Sequence, residues 1–320
     1  MDAVLGIDIA KAKFDVALLL PEGKLRRKSC PNTPAGFAEL AQWLARQGVA
    51  LVHASLEATG TYGDALAHYL YDAGHVVSVL NPAVTHAFAV SQLTRAKTDQ
   101  IDAELIARYT ATQQPLPWRP APREVRELQA LVRRLDALQG MRTQETNRLE
   151  AGPLVASVHA SIETVIATLA AEIKAVQQQI RAHLNQHPGL RDQRDLLTSI
   201  PGIGEATAAV LIAELFDKPY CSARQAAAFA GVVPRVCESG TLKARGRLVK
   251  IGPSRLRKAL YFPALAALRF NPTLRALQTR MRAAGKPKMV IIGAAMRKLI
   301  HLAFGVLKSG RAYDSTYAHS

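Results

Sequence analysis

Apolar and polar positions alternate from the start of the chain in three strand-like runs, Val4 to Ile9, Phe14 to Leu20 and Leu25 to Cys30. Pro21-Glu22-Gly23 supplies the turn between the second and third, so the pattern predicts an antiparallel meander. The period then changes. Phe37, Leu40, Ala41 and Leu44 recur at helical spacing, Val49 to Leu56 is β-rich, Tyr62 to Tyr71 is helical, and His75 to Leu80 is a buried strand closed by Asn81-Pro82. Pro115, Pro117, Pro120 and Pro122 mark a linker.

Beyond the linker, Val125, Leu128, Val132, Leu135 and Leu138 form one apolar stripe. Leu154, Val158, Ile162, Val165, Leu169, Ile173, Val176, Ile180 and Leu184 form a second, with Ala151-Gly152-Pro153 breaking the two apart. This predicts a long helical hairpin that packs on itself or on a second copy. From Leu196 onward the pattern predicts mostly short helices, interrupted at Pro201-Gly202, Pro219, Val233-Pro234, a Gly-rich basic stretch from Gly240 to Gly252, and Asn271-Pro272. Three strands followed by helix, strand, helix, strand and helix is the ribonuclease H-like order. The expected architecture is therefore α/β plus all-α: residues 1–118 as the ribonuclease H-like domain, 119–192 as linker and coiled-coil arm, and 193–320 as a mostly helical domain.

Charge sharpens this division. The 320 residues carry a net +16, and the excess is uneven. Residues 1–118 have 10 basic and 11 acidic side chains, 119–195 have 11 and 9, and 196–320 have 20 and 5. A field that positive over one region attracts polyanions, and each cation brought to a phosphate releases counterions, so the C-terminal part is a candidate nucleic-acid surface. The apolar run from Met289 to Leu307 carries Arg297, Lys298 and His301 in its middle, which predicts a buried helix and not a membrane span. No basic segment followed by an apolar one precedes the first strand, so the chain is expected to stay in the cytoplasm. Cys30, Cys221 and Cys237 are odd in number and lack Cys-x-x-Cys spacing, pointing to neither a disulfide framework nor a zinc site.

Three constellations could carry chemistry. Asp8 lies on the first strand, Glu57 follows the fourth, and Asp99 and Asp102 stand three apart on one helical face. Such carboxylates suit magnesium, a hard cation that takes carboxylate and phosphate oxygens and neutralises charge at a scissile phosphate. Asp15 is set aside as facing solvent or a neighbouring lysine. The segment from Leu196 to Leu215 has the form of a helix-hairpin-helix, whose turn through Gly202 and Gly204 leaves amides free to hold a phosphate. Ser239 stands before Gly240 and is followed by Lys243, Arg245, Arg247, Lys250, Arg255, Arg257 and Lys258, cations that could stabilise charge developing on phosphorus. A serine before glycine is also an ordinary turn residue. His53, His68 and His75 show no ligand spacing and read as structural.

Together these segments resemble the transposases of the insertion-sequence-one-ten family, the bridge-RNA-guided DEDD recombinases. The motifs GIDIAKAKFDVALL, EATGTYG, VSVLNPA, KTDQIDAELIA, SIPGIGEATAAVL, ARQAAAFAGVVPR, ESGT and AAMRKLIHLAFGVLKSG follow the family's order from one end to the other. The resemblance implies a RuvC-like N-terminal domain with Asp8, Glu57, Asp99 and Asp102 as its metal-holding catalytic set. It also implies Ser239 as a nucleophile that forms a covalent phosphoserine with DNA, at a site completed by a partner subunit. The implied partners are a structured bridge RNA, donor and target double-stranded DNA, and further copies of the chain as a dimer or tetramer. Thr241 and Leu242 depart from the more polar stretch expected after the serine motif. Two other readings stay open: a RuvC-like junction nuclease that activates water, and a non-catalytic nucleic-acid-binding protein.

Overall fold

A computed structural model describes residues 3–316 apart from positions 59, 61, 94–97, 153–154, 219, 236–237, 240–241, 244–246 and 249–250; at 235, 238, 239, 242, 243 and 247 it describes the backbone only. The chain forms two compact units, Met1–Pro120 and Ala121–Ser320.

In the first unit, β1 (Val4–Ile9), β2 (Lys13–Leu19) and β3 (Leu25–Pro31) form the expected antiparallel meander. β4 (His53–Glu57) runs parallel to β1, and β5 (Val76–Leu80) parallel to β4, giving the order β3-β2-β1-β4-β5. β4 starts later than the β-rich run beginning at Val49, because the Val49 amide is drawn to Leu44 O to close the preceding helix, leaving Leu51 61% exposed. That helix is α1 (Pro34–Arg46), begun by Thr33, whose side chain accepts from the Gly36 amide. α2 (Asp64–Asp72) and α3 (Pro82–Ser91) follow, the latter capped by Asn81. α4 (Asp99–Gln113) starts at Thr98, whose side chain accepts from the Ile101 amide.

The central strand is covered by α4, and a small residue allows it. A Cβ placed on Gly6 of β1 would stand 2.1 Å from Ala103 O and 2.3 Å from Ala107 N, so only glycine lets helix backbone and strand approach this closely. Ala103 and Ala107 are fully buried against it. This packing carries the first turn of α4, with Asp99 and Asp102, to the side of the sheet where β1 ends.

The second unit begins with the arm, α5 (Arg123–Glu150) and α6 (Ala156–Gln186). Its two halves differ. Val125, Leu128, Val132 and Leu138 of α5, and Ile173, Val176, Ile180 and Leu184 of α6, are buried in the unit's core. Farther out, Met141, Val158 and Val165 are exposed. The stripes thus pack internally near the base and not toward the tip. α7 (Pro188–Thr198), α8 (Glu205–Glu214) and α9 (Ala223–Phe229) lead into two short ribbons. β6 (Pro234–Arg235) pairs with β9 (Arg247–Leu248), and between them β7 (Glu238–Ser239) pairs with β8 (Leu242–Lys243). The basic stretch, expected only to interrupt the helices, thus contains paired strands. α10 (Ser254–Phe270), α11 (Pro272–Ala283) and α12 (Lys288–Ser309) complete the unit.

One of these helices is longer than the short segments expected: α10 runs through Pro263, whose buried ring forms part of the packing face, while α12 contains the Met289 to Leu307 run expected as a buried helix. α12 is long and apolar enough to cross a membrane, yet half of its most apolar window is buried, with Ile292, Met296, Leu299, Ile300 and Ala303 in the core. This agrees with the reading as a core helix.

Candidate active site

In the first unit the acidic residues act on one another. Asp8 is half-buried on β1, and its carboxyl is pushed up to about 6 by burial and then by the charges of Asp102, Asp99, Glu57 and Asp15. The four residues expected to form a metal set therefore share one electrostatic environment. Glu57, at the end of β4, accepts a hydrogen bond from the Thr85 hydroxyl of α3, so helix and strand hold that carboxylate from both sides.

Of the two places expected for Asp15, solvent or a neighbouring lysine, it takes the second. It is 4% exposed, directly across from Asp8 in the β1–β2 register, and bonded to Lys13 Nζ at 2.8 Å. It faces the lysine and not the solvent. The signal was present: a tight turn between β1 and β2 brings residue 8 opposite residue 15, and two like charges so placed require a cation nearby. Lys13 supplies one, its Nζ also lying 3.0 Å from Asp99 Oδ2. The two carboxylates hold its ammonium above the usual lysine range.

These residues fit a hard divalent cation by donor chemistry, since carboxylate oxygens facing one another create the charge such an ion relieves. As placed, among the described residues, no three acidic, histidine or cysteine side chains are arranged to hold a metal ion.

The second unit treats its acids differently. Glu214, 7% exposed, receives Arg133 Nε at 2.9 Å and Arg255 Nη1 at 2.9 Å. Burial alone would raise its pKa, but the two guanidiniums outweigh burial and hold it below the ordinary range. Asp136 pairs with Arg255 at 3.2 Å and Lys258 at 2.8 Å and is likewise lowered against the effect of burial. Two residues expected to meet phosphate thus have partners within the protein. Arg257 has a third kind: its Nη1 donates to Gly252 O at 2.8 Å and lies 3.5 Å from Ala230 O.

That bond, with Gly252, cinches the base of the segment bearing Ser239. Gly252 has φ +118°, and a Cβ there would stand 2.0 Å from Phe229 O. Residues flanking the two ribbons are thereby clamped together. Ser239 itself lies on β7, its backbone opposite Leu242. The side chains of Ser239, Lys243 and Arg247, and residues Arg245 and Lys250 entirely, lie outside the described part of the structure.

The turn through Gly202 and Gly204 connects α7 and α8, and its two glycines do different work. Gly202, at φ +109°, packs on α10, where a Cβ would meet that of Ala267 at 2.6 Å. Gly204 faces open space and starts α8 without a side-chain cap, leaving first-turn amides uncovered by any cap. The turn is braced by Asn271, fully buried, and by Ser199 Oγ, which accepts from the Tyr313 amide at 2.8 Å. Neither brace was legible in the sequence motif.

An α/β unit with a concentrated set of carboxylates, followed by a strongly basic helical unit, suits a protein that works on nucleic acid. A family model described as a transposase of the DEDD type matches residues 5–154, and one described as the transposase IS116/IS110/IS902 family matches residues 194–279. The pilin gene-inverting protein of Moraxella bovis is 34% identical over 315 residues, covering 97% of each chain. The transposase for insertion sequence element IS1328 of Yersinia enterocolitica is 29% identical over 283 residues, covering 80% of this chain and 81% of the relative. The chain belongs to the IS110 family of transposases and is an enzyme that cleaves and rejoins DNA. The DEDD family is generally metal dependent.

Proposed function

We propose that this transposase cuts and rejoins donor and target DNA through Ser239, guided by a structured bridge RNA and assisted by magnesium. Its first unit serves as a RuvC-like, ribonuclease H-like domain in which Asp8, Glu57, Asp99 and Asp102 hold the ion. The observation that carries this reading is the convergence of Glu57, Asp99 and Asp102 on Asp8. When bound, magnesium supplies charge neutralisation at the reacting phosphate.

Rejoining without an external energy source requires the phosphodiester energy to be kept in a covalent bond. Ser239 Oγ forms that bond to phosphorus as one P–O ester breaks, and the displaced deoxyribose oxygen leaves as a hydroxyl, taking up a proton in place of the one the serine gives up. Attack by a second strand's hydroxyl reverses the exchange and frees the serine. Gly252 and Arg257 support this by clamping the segment's base, while Lys243, Arg245, Arg247 and Lys250 supply charge around the phosphate. The turn at Gly204 offers amides to the DNA backbone in the manner of a helix-hairpin-helix. Lys258, exposed despite its bond to Asp136, remains a candidate phosphate contact, whereas Arg255 and Arg257 act mainly inside the protein.

The reaction takes place in the cytoplasm in a dimer or tetramer, joined along the outer half of the arm where Met141, Val158 and Val165 are exposed. Val158→Asp with Val165→Asp should therefore give folded monomers on light scattering. Val176→Asp should instead damage the fold, since that side chain is 6% exposed.

The direct test is Ser239→Ala. The variant should bind RNA and both DNAs yet give no protein–DNA adduct on a denaturing gel and no recombinant product. Nicking at the wild-type rate with free phosphate ends would replace this reading with the water-activating nuclease. A second reading of the outcome is inversion of a DNA segment, favoured by the likeness to the pilin gene-inverting protein along nearly the whole chain. Sequencing the product junctions separates insertion from inversion.

A further inference from the structure

α10 turns one face to the core and another outward, and the outward face is unusual in composition. Leu256, Leu260, Ala264 and Ala267 are fully buried, so the helix already has its apolar contacts. Phe262 and Phe270, on the same helix, are nonetheless 74% and 63% exposed. Lys258, Phe262 and Arg269 follow at spacings of four and seven residues, which places them along one stripe. The Arg269 guanidinium lies 5.2 Å from the centre of the Phe270 ring, and Tyr261 meets Phe262 edge-on at 5.4 Å. These contacts steady the rings without covering them.

The surroundings indicate what the rings meet. Residues 254–313 contain 13 lysines and arginines and no aspartate or glutamate. On the packed neighbour α11, Arg275, Arg280 and Arg282 are exposed, and neither they nor Arg269 forms an ion pair among the described residues. A second copy of so basic a face would be repelled, and a neutral apolar partner would have to desolvate the guanidiniums around each ring. A polyanion satisfies them. Paired bases within a duplex keep their faces stacked on one another, while unpaired bases offer a face to an aromatic ring and a phosphate to a neighbouring cation.

We propose that the outward face of α10, continued by the arginines of α11, binds single-stranded nucleic acid, with Phe262 and Phe270 stacking on unpaired bases and Arg269, Arg275, Arg280 and Arg282 following the backbone. This deepens the proposed function, since it rests on the enzyme handling strands opened from a duplex or looped in an RNA.

The test compares full-length wild type, Phe262→Ala/Phe270→Ala and Phe262→Trp/Phe270→Trp by fluorescence anisotropy. The probes are a labelled single-stranded RNA, a single-stranded DNA and a duplex of the same sequence, each across a salt series. The alanine variant should lose roughly tenfold or more in single-strand affinity per ring and less than twofold on the duplex. Its salt slope should be unchanged because no cation is removed. The tryptophan variant should bind single strands at least as tightly as wild type. Equal losses on single strands and duplex, no loss at all, weaker binding by the tryptophan variant, or a wild-type protein that does not bind single strands would each overturn the proposal. Ser239→Ala separates the two readings: single-strand affinity kept by that variant, together with nicking that proceeds without the serine, would remove the serine mechanism and leave this surface standing.

Discussion

In the first unit Asp8 faces four other acids and is driven up to about 6, with Lys13 the cation bound to Asp15 and Asp99. In the second, Glu214 and Asp136 sit among Arg133, Arg255 and Lys258 and are held below the ordinary carboxylate range despite burial. Asp217 is an exception there, since burial raises it despite the adjacent Lys218. The net charges of the units invite the opposite expectation: the strongly basic unit has an excess of cations, yet spends several on internal acids, while the nearly neutral unit leaves its acids concentrated. Matched charge in this protein ties helices together. The unmatched charge around Asp8 is where the proposed divalent cation would be held.

The largest expected effect breaks the unmatched side. Asp102→Asn keeps the volume and removes one negative charge, and should reduce strand cleavage by about a thousandfold or more while leaving nucleic-acid affinity near wild type, as read in a gel cleavage assay. Cleavage at the wild-type rate would remove Asp102 from the metal set.

On the matched side, Glu214→Ala leaves Arg133 and Arg255 facing each other's charge without the acid between them. Because Arg133 is partly exposed, the loss should be about 2–3 kcal/mol, less than for a fully buried pair, seen as a fall in the melting temperature of several degrees. An unchanged melting temperature would show that the cluster does not tie α5, α8 and α10 together.

A smaller effect concerns pH. The Asp8 carboxyl keeps its proton to about 6 in the folded chain but releases it near 3.8 when unfolded. The native state therefore binds more protons across that window, and wild-type stability should fall as pH rises through it. Asp8→Asn should lack this fall and be more stable above pH 6 by about 1 kcal/mol, allowing for solvent screening of a half-exposed group. Melting curves in chelator at successive pH values check the sign, and a wild type that gains stability from Asp8 across that window would contradict it.

The smallest effect separates two cations of the second unit. Lys258→Gln should cost less than about 1 kcal/mol in stability and flatten the salt dependence of DNA binding by up to about one unit. Arg255→Gln should destabilise the fold and leave the slope nearly unchanged. The reverse pattern would exchange their assignments.

Much of this was legible in residue order. The run from Val4 to Ile9 became β1 with those bounds, Asn81-Pro82 began α3, and the spacing of Asp99 and Asp102 placed both in the first turn of α4. What escaped depends on long-range approach. Gly6 reads as one glycine in a strand until α4 lies on it, and Asp15 reads as facing solvent or a lysine, with nothing to set it against Asp8 until the register is known. Arg255 and Arg257 belong to a basic run along the chain, but the acids that Arg255 pairs with, Asp136 and Glu214, come from two other segments. The arm's stripes were visible as a period, whereas the point where internal packing stops is set by the helices at its base.

The proposed reaction exchanges one phosphodiester onto one serine with help from the carboxylates. The wild-type protein should be incubated with its DNA in magnesium and in chelator, digested with protease and nuclease, and searched by mass spectrometry for a peptide carrying a nucleotide. A nucleotide on the Ser239 peptide, formed in magnesium and absent in chelator, is the predicted result. DNA cut to free phosphate ends with no modified peptide, or a nucleotide carried by another residue, would contradict it.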